Sequence, residues 1–330
     1  MKTPTWLIAF VTTSVMLFPI LQRSLIAQTG ATDTIAGEEK AIGNGKVRTW
    51  LKVDAKTREP RVLGVSLTEA GLSGLPADTD QAQQGSVKLR LMDGGSDHTF
   101  EYELKFPPDA GETAFNHMGF NWNPLGHGPK GIFTMPHFDV HFYMATPEYR
   151  HHIVVDLQDA DPTHLKTSNL EPPAQFLPPD YQLAPNTAEP RMGSHYADVT
   201  SPQLKPGNFA NIFLIGAHGG SILFWEPMLT KAYLESKPKF TGKLKLPESY
   251  PVSGYYPTAY SVVYDQNRRE FDISLDGLTF RLSSYPKNVY GVEPCIDSRV
   301  ALIISKYKKV PDNPATKNCV SLLQQAISAK

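Results

Sequence analysis

Alternation with a period of two recurs along this chain and commits it to strands. Val47, Thr49, Leu51 and Val53 alternate with Arg48, Trp50, Lys52 and Asp54, and residues 61–67 form a partner run across the turn that starts at Asp54. The pattern returns in Val87, Leu89 and Leu91, and again in Phe100, Tyr102, Leu104 and Phe106. Successive strand side chains point to opposite faces, so each run offers one apolar face to a core. The 28 prolines and 24 glycines keep these elements short, because proline ends helices and interrupts central strands. Residues 209–215 and 221–225 read as a hairpin around Ala217-His-Gly-Gly220, and residues 260–264 and 270–275 as another, extended by 278–282. There is no βα alternation and no internal repeat. The expected fold is mainly β, an antiparallel β-sandwich or barrel-like domain.

The N-terminus reads as an export signal. Lys2 precedes an apolar run from Trp6 to Leu21, and Ala27 offers a small residue at a cleavage point. The other reading is an uncleaved anchor, but the run is shorter than the ~20 residues of a spanning helix and contains Pro19. The expected organisation is a signal peptide at 1–27, a flexible N-terminus at 28–42 and a β domain at 43–237. A smaller β extension with a C-terminal helix follows at 238–330. The mature protein is expected to be periplasmic or secreted, with no stable membrane span. In such an oxidising compartment Cys295 and Cys319 are expected to pair, closing a loop worth roughly 3 kcal/mol; two buried thiols are the alternative. The formal net charge of -1, with no basic run interleaved with aromatics, argues against nucleic-acid binding.

Seven of the ten histidines lie between His98 and His152, around Met135-Pro-His-Phe-Asp-Val-His-Phe-Tyr143. On a strand, Phe138, Val140 and Phe142 face the core while His137, Asp139 and His141 share the other face. Neighbours two residues apart lie ~7 Å from one another, whereas His137 and His141 are ~13 Å apart and poorly placed to share an ion. The pairs to expect are Asp139 with His141 or His137 with Asp139. Further ligands would come from elsewhere, with His195, Glu226, His127 and His117 as candidates. Imidazole with carboxylate suits a divalent transition metal, Zn, Fe, Mn, Cu or Ni. The same residues could instead form a structural hydrogen-bonded network or a metal-free catalytic His/Asp pair. Nucleophile motifs, a P-loop and a dinucleotide fingerprint are absent. The tyrosines at 250, 255, 256, 260 and 264 could line a carbohydrate-binding face or simply pack.

Several segments carry a resemblance in order along the chain: Gly43-Asn-Gly-Lys46, Leu63-Gly-Val-Ser-Leu67, Asn116-His-Met-Gly-Phe-Asn-Trp-Asn-Pro-Leu-Gly-His-Gly-Pro129, Pro136-His-Phe-Asp-Val-His-Phe-Tyr143, Arg191-Met-Gly-Ser-His195 and Phe224-Trp-Glu-Pro-Met-Leu-Thr230. Over roughly residues 43–235 the chain resembles a small bacterial family of exported β domains of unknown function, DUF5602 or TTHB210-like. The resemblance implies a β-rich exported domain that self-associates. It places His127, His137, Asp139, His141, His195 and Glu226 in family motifs. Where similar sequences read Asn-Pro-His-Gly-His-Pro, this chain has Asn123-Pro-Leu-Gly-His-Gly128, one histidine fewer. Two functions are expected from these observations. One is an exported metal-binding protein, enzyme or carrier, with a cupin-like arrangement in view. The other is a non-enzymatic envelope protein that oligomerises or binds a partner and uses the cluster structurally.

Overall fold

A computed structural model describes residues 30–77, 98–155 and 162–283, and the backbone of 86–88. The expected signal segment, the helix expected near the C-terminus, and Cys295 and Cys319 lie outside the described residues.

The first strands are β1 (Thr32–Ile42), β2 (Gly45–Asp54) and β3 (Pro60–Thr68). Then come β4 (Ser86–Lys88), β5 (His98–Lys105), β6 (His117–Asn123) and β7 (His137–Tyr143). Next are β8 (Tyr181–Leu183), β9 (Ser194–Asp198), β10 (Asn211–His218) and β11 (Ser221–Thr230). The last are β12 (Lys239–Lys243), β13 (Gly254–Tyr256), β14 (Ala259–Asp265), β15 (Glu270–Asp276) and β16 (Thr279–Arg281). They assemble into a six-stranded sheet in the order β1-β2-β3-β15-β14-β12, an eight-stranded sheet in the order β4-β5-β6-β7-β11-β10-β9-β8, and a β13-β16 ribbon. All the ladders are antiparallel, as in the β2–β3, β10–β11 and β14–β15 hairpins.

Among the described residues neither sheet closes, so the barrel-like form of the expectation gives way to two open sheets. One apolar cluster joins their inner faces, with Val47, Leu51, Leu63, Phe271 and Ile273 from the first sheet and Phe120, Phe138, Phe142, Phe213 and Trp225 from the second. Phe142 stacks beside Phe106 and meets Phe115 edge-on, both at 6.0 Å between centroids. Tyr250, Tyr255, Tyr256 and Tyr260 are buried in this cluster, which accounts for the tyrosines by packing. The strands after residue 238 do not stand apart from those before it. β15 pairs with β3 from Glu270↔Thr68 to Asp276↔Val62, so the late hairpin extends the sheet that the first strands begin. Among the described residues no helix is long and apolar enough to cross a membrane.

Two segments differ from expectation. Residues 32–42, expected loose, form β1, because pairing with β2 supplies the order that their polar side chains do not. The stretch 107–136, whose Gly, Pro, Asn and His content reads as loop, contains β6, whose seven residues are all buried. Its signal is the alternation of Met118, Phe120 and Trp122, which face the shared core, hidden among Gly and Asn residues that usually mark turns.

Candidate metal centre

β7 lies between β6 and β11, and this position decides what its polar face meets. Phe138, Val140 and Phe142 point into the core, so His137, Asp139, His141 and Tyr143 share the outer face of the eight-stranded sheet. Across the β6 ladder these four stand opposite Asn123, Asn121, Gly119 and His117. The β7–β11 ladder pairs Trp225 with Phe142 and Met228 with Asp139, and skips Glu226 and Pro227, where proline has no donor to give. This polar face is not wet. His137 and His141 are 0 % exposed and Asp139 is 3 % exposed. On the same face Phe133, Phe209, Leu214 and Met228 form one apolar patch, and Ile153, Met192, Leu223 and Phe224 belong to another.

The six residues expected as ligands separate into two groups of three. In the first, His137 Nε2 lies 3.0 Å from His127 Nε2 and 3.0 Å from Asp139 Oδ1, and His127 Nε2 lies 3.4 Å from Asp139 Oδ2. His127 comes from the loop between β6 and β7, which folds back so that its backbone N–H donates to the Phe133 carbonyl. Gly126, at φ +69°, permits that fold, since a Cβ there would stand 2.1 Å from the Phe133 oxygen. The ring tautomers follow from the backbone. His137 Nδ1 donates to the Met135 carbonyl at 2.7 Å and His127 Nδ1 donates to the Gly128 carbonyl at 2.9 Å. In its neutral form each ring would therefore turn an Nε2 lone pair towards the other and towards Asp139. Asp139 Oδ1 accordingly makes no hydrogen bond despite the 3.0 Å approach of His137, while Oδ2 accepts from Asn123 Nδ2 at 2.7 Å.

The second group is His141, His195 and Glu226. His141 Nε2 lies 3.3 Å from Glu226 Oε1, and His195 Nε2 lies 3.8 Å from Glu226 Oε2. His195 stands on β9 opposite Gly216 of β10, and Nδ1 of its ring donates to the Thr187 carbonyl at 2.7 Å, again leaving Nε2 inward. Phe224 sits edge-on to His141 at 4.8 Å between ring centroids. It fits because Gly216 has no side chain, since a Cβ there would stand 2.0 Å from the Phe224 ring. Both nitrogens of His141 and Oε2 of Glu226 are buried without a hydrogen bond.

Electrostatics distinguish the groups. Burial opposes a charge on His127, but the Asp139 carboxylate outweighs it and holds the imidazole above its ordinary value. Burial also opposes ionisation of Asp139, yet His137 and His127 hold it well below the usual carboxylate range. Burial, with the nearby Asp139, pushes Glu226 well above that range. Burial lowers His141 to about 3 and His195 to about 4. Without a metal, these shifts favour charge on Asp139 and His127 and oppose it on His141, His195 and Glu226.

A third polar group adjoins them. Arg150, 0 % exposed, is carried by the short helix α1 (Pro147–His151). It grips Glu101 at 2.6 and 2.8 Å and Glu103 at 3.1 Å, with its guanidinium over the Tyr143 ring. Glu101, Glu103 and His151 also bring ligand atoms together, but Arg150 and Arg191 already neutralise the acids. We read this group as an ion-pair anchor for the segment after β7. His117 belongs to neither triad. It stacks on Tyr143, and burial followed by Arg150 lowers it to about 3. Sequence reasoning named all six residues of the triads but missed Asn123 and the carbonyls of Met135, Gly128 and Thr187, which hold the ligands in place. The triads lie on the outer side of an open sheet, without the enclosing barrel that a cupin-like arrangement would supply.

No curated protein and no solved structure matches the chain. Residues 59–122, which run from the start of β3 to near the end of β6 and stop short of both triads, match the family model TTHB210-like, described as hypothetical protein TTHB210.

Proposed function

We propose that this is an exported metal-binding protein that holds a divalent transition metal at His127, His137 and Asp139. The observation that carries this reading is the fixed tautomers: both imidazoles are tied at Nδ1 to backbone carbonyls, so two Nε2 lone pairs and a carboxylate converge. Ligating histidines are oriented by such partners on the opposite ring nitrogen. The spacing agrees. Bonds of ~2.0–2.1 Å place ligand atoms roughly 2.9–3.4 Å apart around one ion; here the two Nε2 atoms are 3.0 Å apart, His137 is 3.0 Å from Asp139 Oδ1 and His127 is 3.4 Å from the other carboxylate oxygen, Oδ2. Two imidazoles and one carboxylate leave coordination positions for water or a substrate and suit Zn, Fe, Mn, Cu or Ni. His127, with 26 % of its side chain exposed, is the ligand nearest to solvent.

A second reading has an observation of its own. With Asp139 favouring the protonated form of His127, the same three residues can close as a hydrogen-bonded network without an ion. The protein would then act by self-association or by binding a partner, and the cluster would be structural. Plasma mass spectrometry on untagged full-length protein separates the two. The metal reading expects a transition metal at near-stoichiometric level, lost in His137→Ala while circular dichroism keeps its β signature. Metal-free wild-type protein that neither gains metal on dialysis nor changes fold would leave the network as the function of the cluster.

A further inference from the structure

The second triad is not required by a single-ion centre, and its chemistry is too specific for packing alone. Glu226, 1 % exposed, lies on a central strand between two imidazoles. Buried polar atoms are nearly always hydrogen-bonded, yet no hydrogen bond of normal geometry reaches His141 Nδ1, His141 Nε2 or Glu226 Oε2. His195, like His127 and His137, is tied at Nδ1 to a carbonyl and turned inward at Nε2. The break in the β7–β11 ladder at Glu226 and Pro227 falls beside His141, leaving this part of the sheet free of one backbone constraint.

We infer that the chain binds two transition-metal ions at separate neighbouring sites, the second held by His141, His195 and Glu226. This rests on the metal-binding reading above. The ligand set is again two imidazoles and a carboxylate, so the second ion belongs to the same borderline class. Its ligand separations from Glu226, 3.3 and 3.8 Å, are wider than those of the first site, and the side chains would close by a few tenths of an ångström around an ion. Strand geometry keeps the sites apart. Asp139 and His141 are two residues apart on β7, ~7 Å along the strand, beyond the ~3.5–4 Å of ions that share a bridging ligand. Each site therefore loads and empties without the other.

The test is titration of metal-stripped full-length protein with cobalt(II), followed by visible absorption, with bound cobalt counted by plasma mass spectrometry after desalting. The expected result is two equivalents per chain. His127→Gln and His195→Gln alter the least buried ligand of each site, and each should retain one equivalent with unchanged circular dichroism. Glu226→Gln, which keeps the side-chain shape, should match His195→Gln if either variant folds poorly. One equivalent in the wild type, with His195→Gln unaffected, would overturn the second site and leave the first standing. Loss of both ions in any one folded variant would replace separate sites with a shared centre and so overturn the inference. No bound cobalt at all would sink this inference together with the reading on which it rests.

Discussion

β7 and β15 are written in nearly the same pattern and end in different chemistry. Glu270-Phe-Asp-Ile-Ser-Leu-Asp276 places Phe271, Ile273 and Leu275 in the core, as His137-Phe-Asp-Val-His-Phe-Tyr143 places Phe138, Val140 and Phe142. Each has an aspartate at its third position. On β15 that residue, Asp272, keeps 16 % of its side chain exposed and pairs with Arg268, whose side chain is 43 % exposed. On β7 it is Asp139, with 4 % of its side chain exposed and two imidazoles and an amide around it. Alternation tells which residues leave the core. What covers them is decided elsewhere, here by the loop carrying His127 and by the apolar patches around Phe133 and Met192. A polar strand face under cover needs internal partners, and that requirement brings ligands together.

The largest expected effect tests the half of the comparison on which the strands agree. Phe142→Ala and Phe271→Ala each remove a fully buried ring from the same core cluster. Both should cost about 3–5 kcal/mol in chemical denaturation. A loss under ~1 kcal/mol at either position would mean that the inner faces are not equivalent. The next effect belongs to the covered outer face alone. In metal-free protein His117, His141 and His195 stay neutral, lowered to about 3, about 3 and about 4 from 6.5. As pH falls from 6.5 towards 4.5 the unfolded chain gains protons at these three that the folded chain refuses, so stability falls. Glu226 acts in the opposite sense, because its raised folded value contributes stability that is complete below 4.5 and lost as pH rises. His127 is likewise raised, and its contribution is lost only above 6.5. Three imidazoles that refuse protons outweigh the single carboxyl acting against them, so stability falls as the pH drops through this window. Urea midpoints measured at closely spaced pH values check this. A flat profile across that window would show the imidazoles to be solvated.

Much of the fold was legible from alternation and from apolar runs set off by turn residues. Residues 47–53, 61–67 and 260–275 form β2, β3, β14 and β15, and the apolar runs either side of Gly219-Gly220 form β10 and β11, buried along nearly all their length. β6 was obscured because its outer face, His117, Gly119, Asn121 and Asn123, has the composition of a loop and becomes strand only between β5 and β7. β1 was obscured because its order comes from pairing. The site was legible as residue types and as the pair His137 with Asp139. Its division into two triads was not, since it depends on cross-strand register: His195 reaches Glu226 only through the β9–β10–β11 ladders. The alternative pair, Asp139 with His141, is divided between the triads. The carbonyls that assign the tautomers belong to Met135, Gly128 and Thr187, whose side chains say nothing about that role.

The smallest effect is the difference between the two aspartates, and it discriminates best. Asp139→Asn removes the charge that faces His127 and His137 in a buried setting, a change worth about 1.5–3 kcal/mol for hydrogen bonds to charged groups. Asp272→Asn removes one partner of a partly exposed arginine that also pairs with Asp265 and Glu270, and Ser66 Oγ can still donate to the amide oxygen. Its expected cost is under ~1 kcal/mol and should shrink further in 0.5 M salt, whereas the Asp139 cost, screened from solvent, should not. Thermal or urea denaturation of metal-free protein at pH 7, with and without salt, measures both. Equal costs with equal salt sensitivity would show that the cover over β7 admits water as freely as the open face of β15. The convergence of ligands on Asp139 would then be an ordinary solvated cluster.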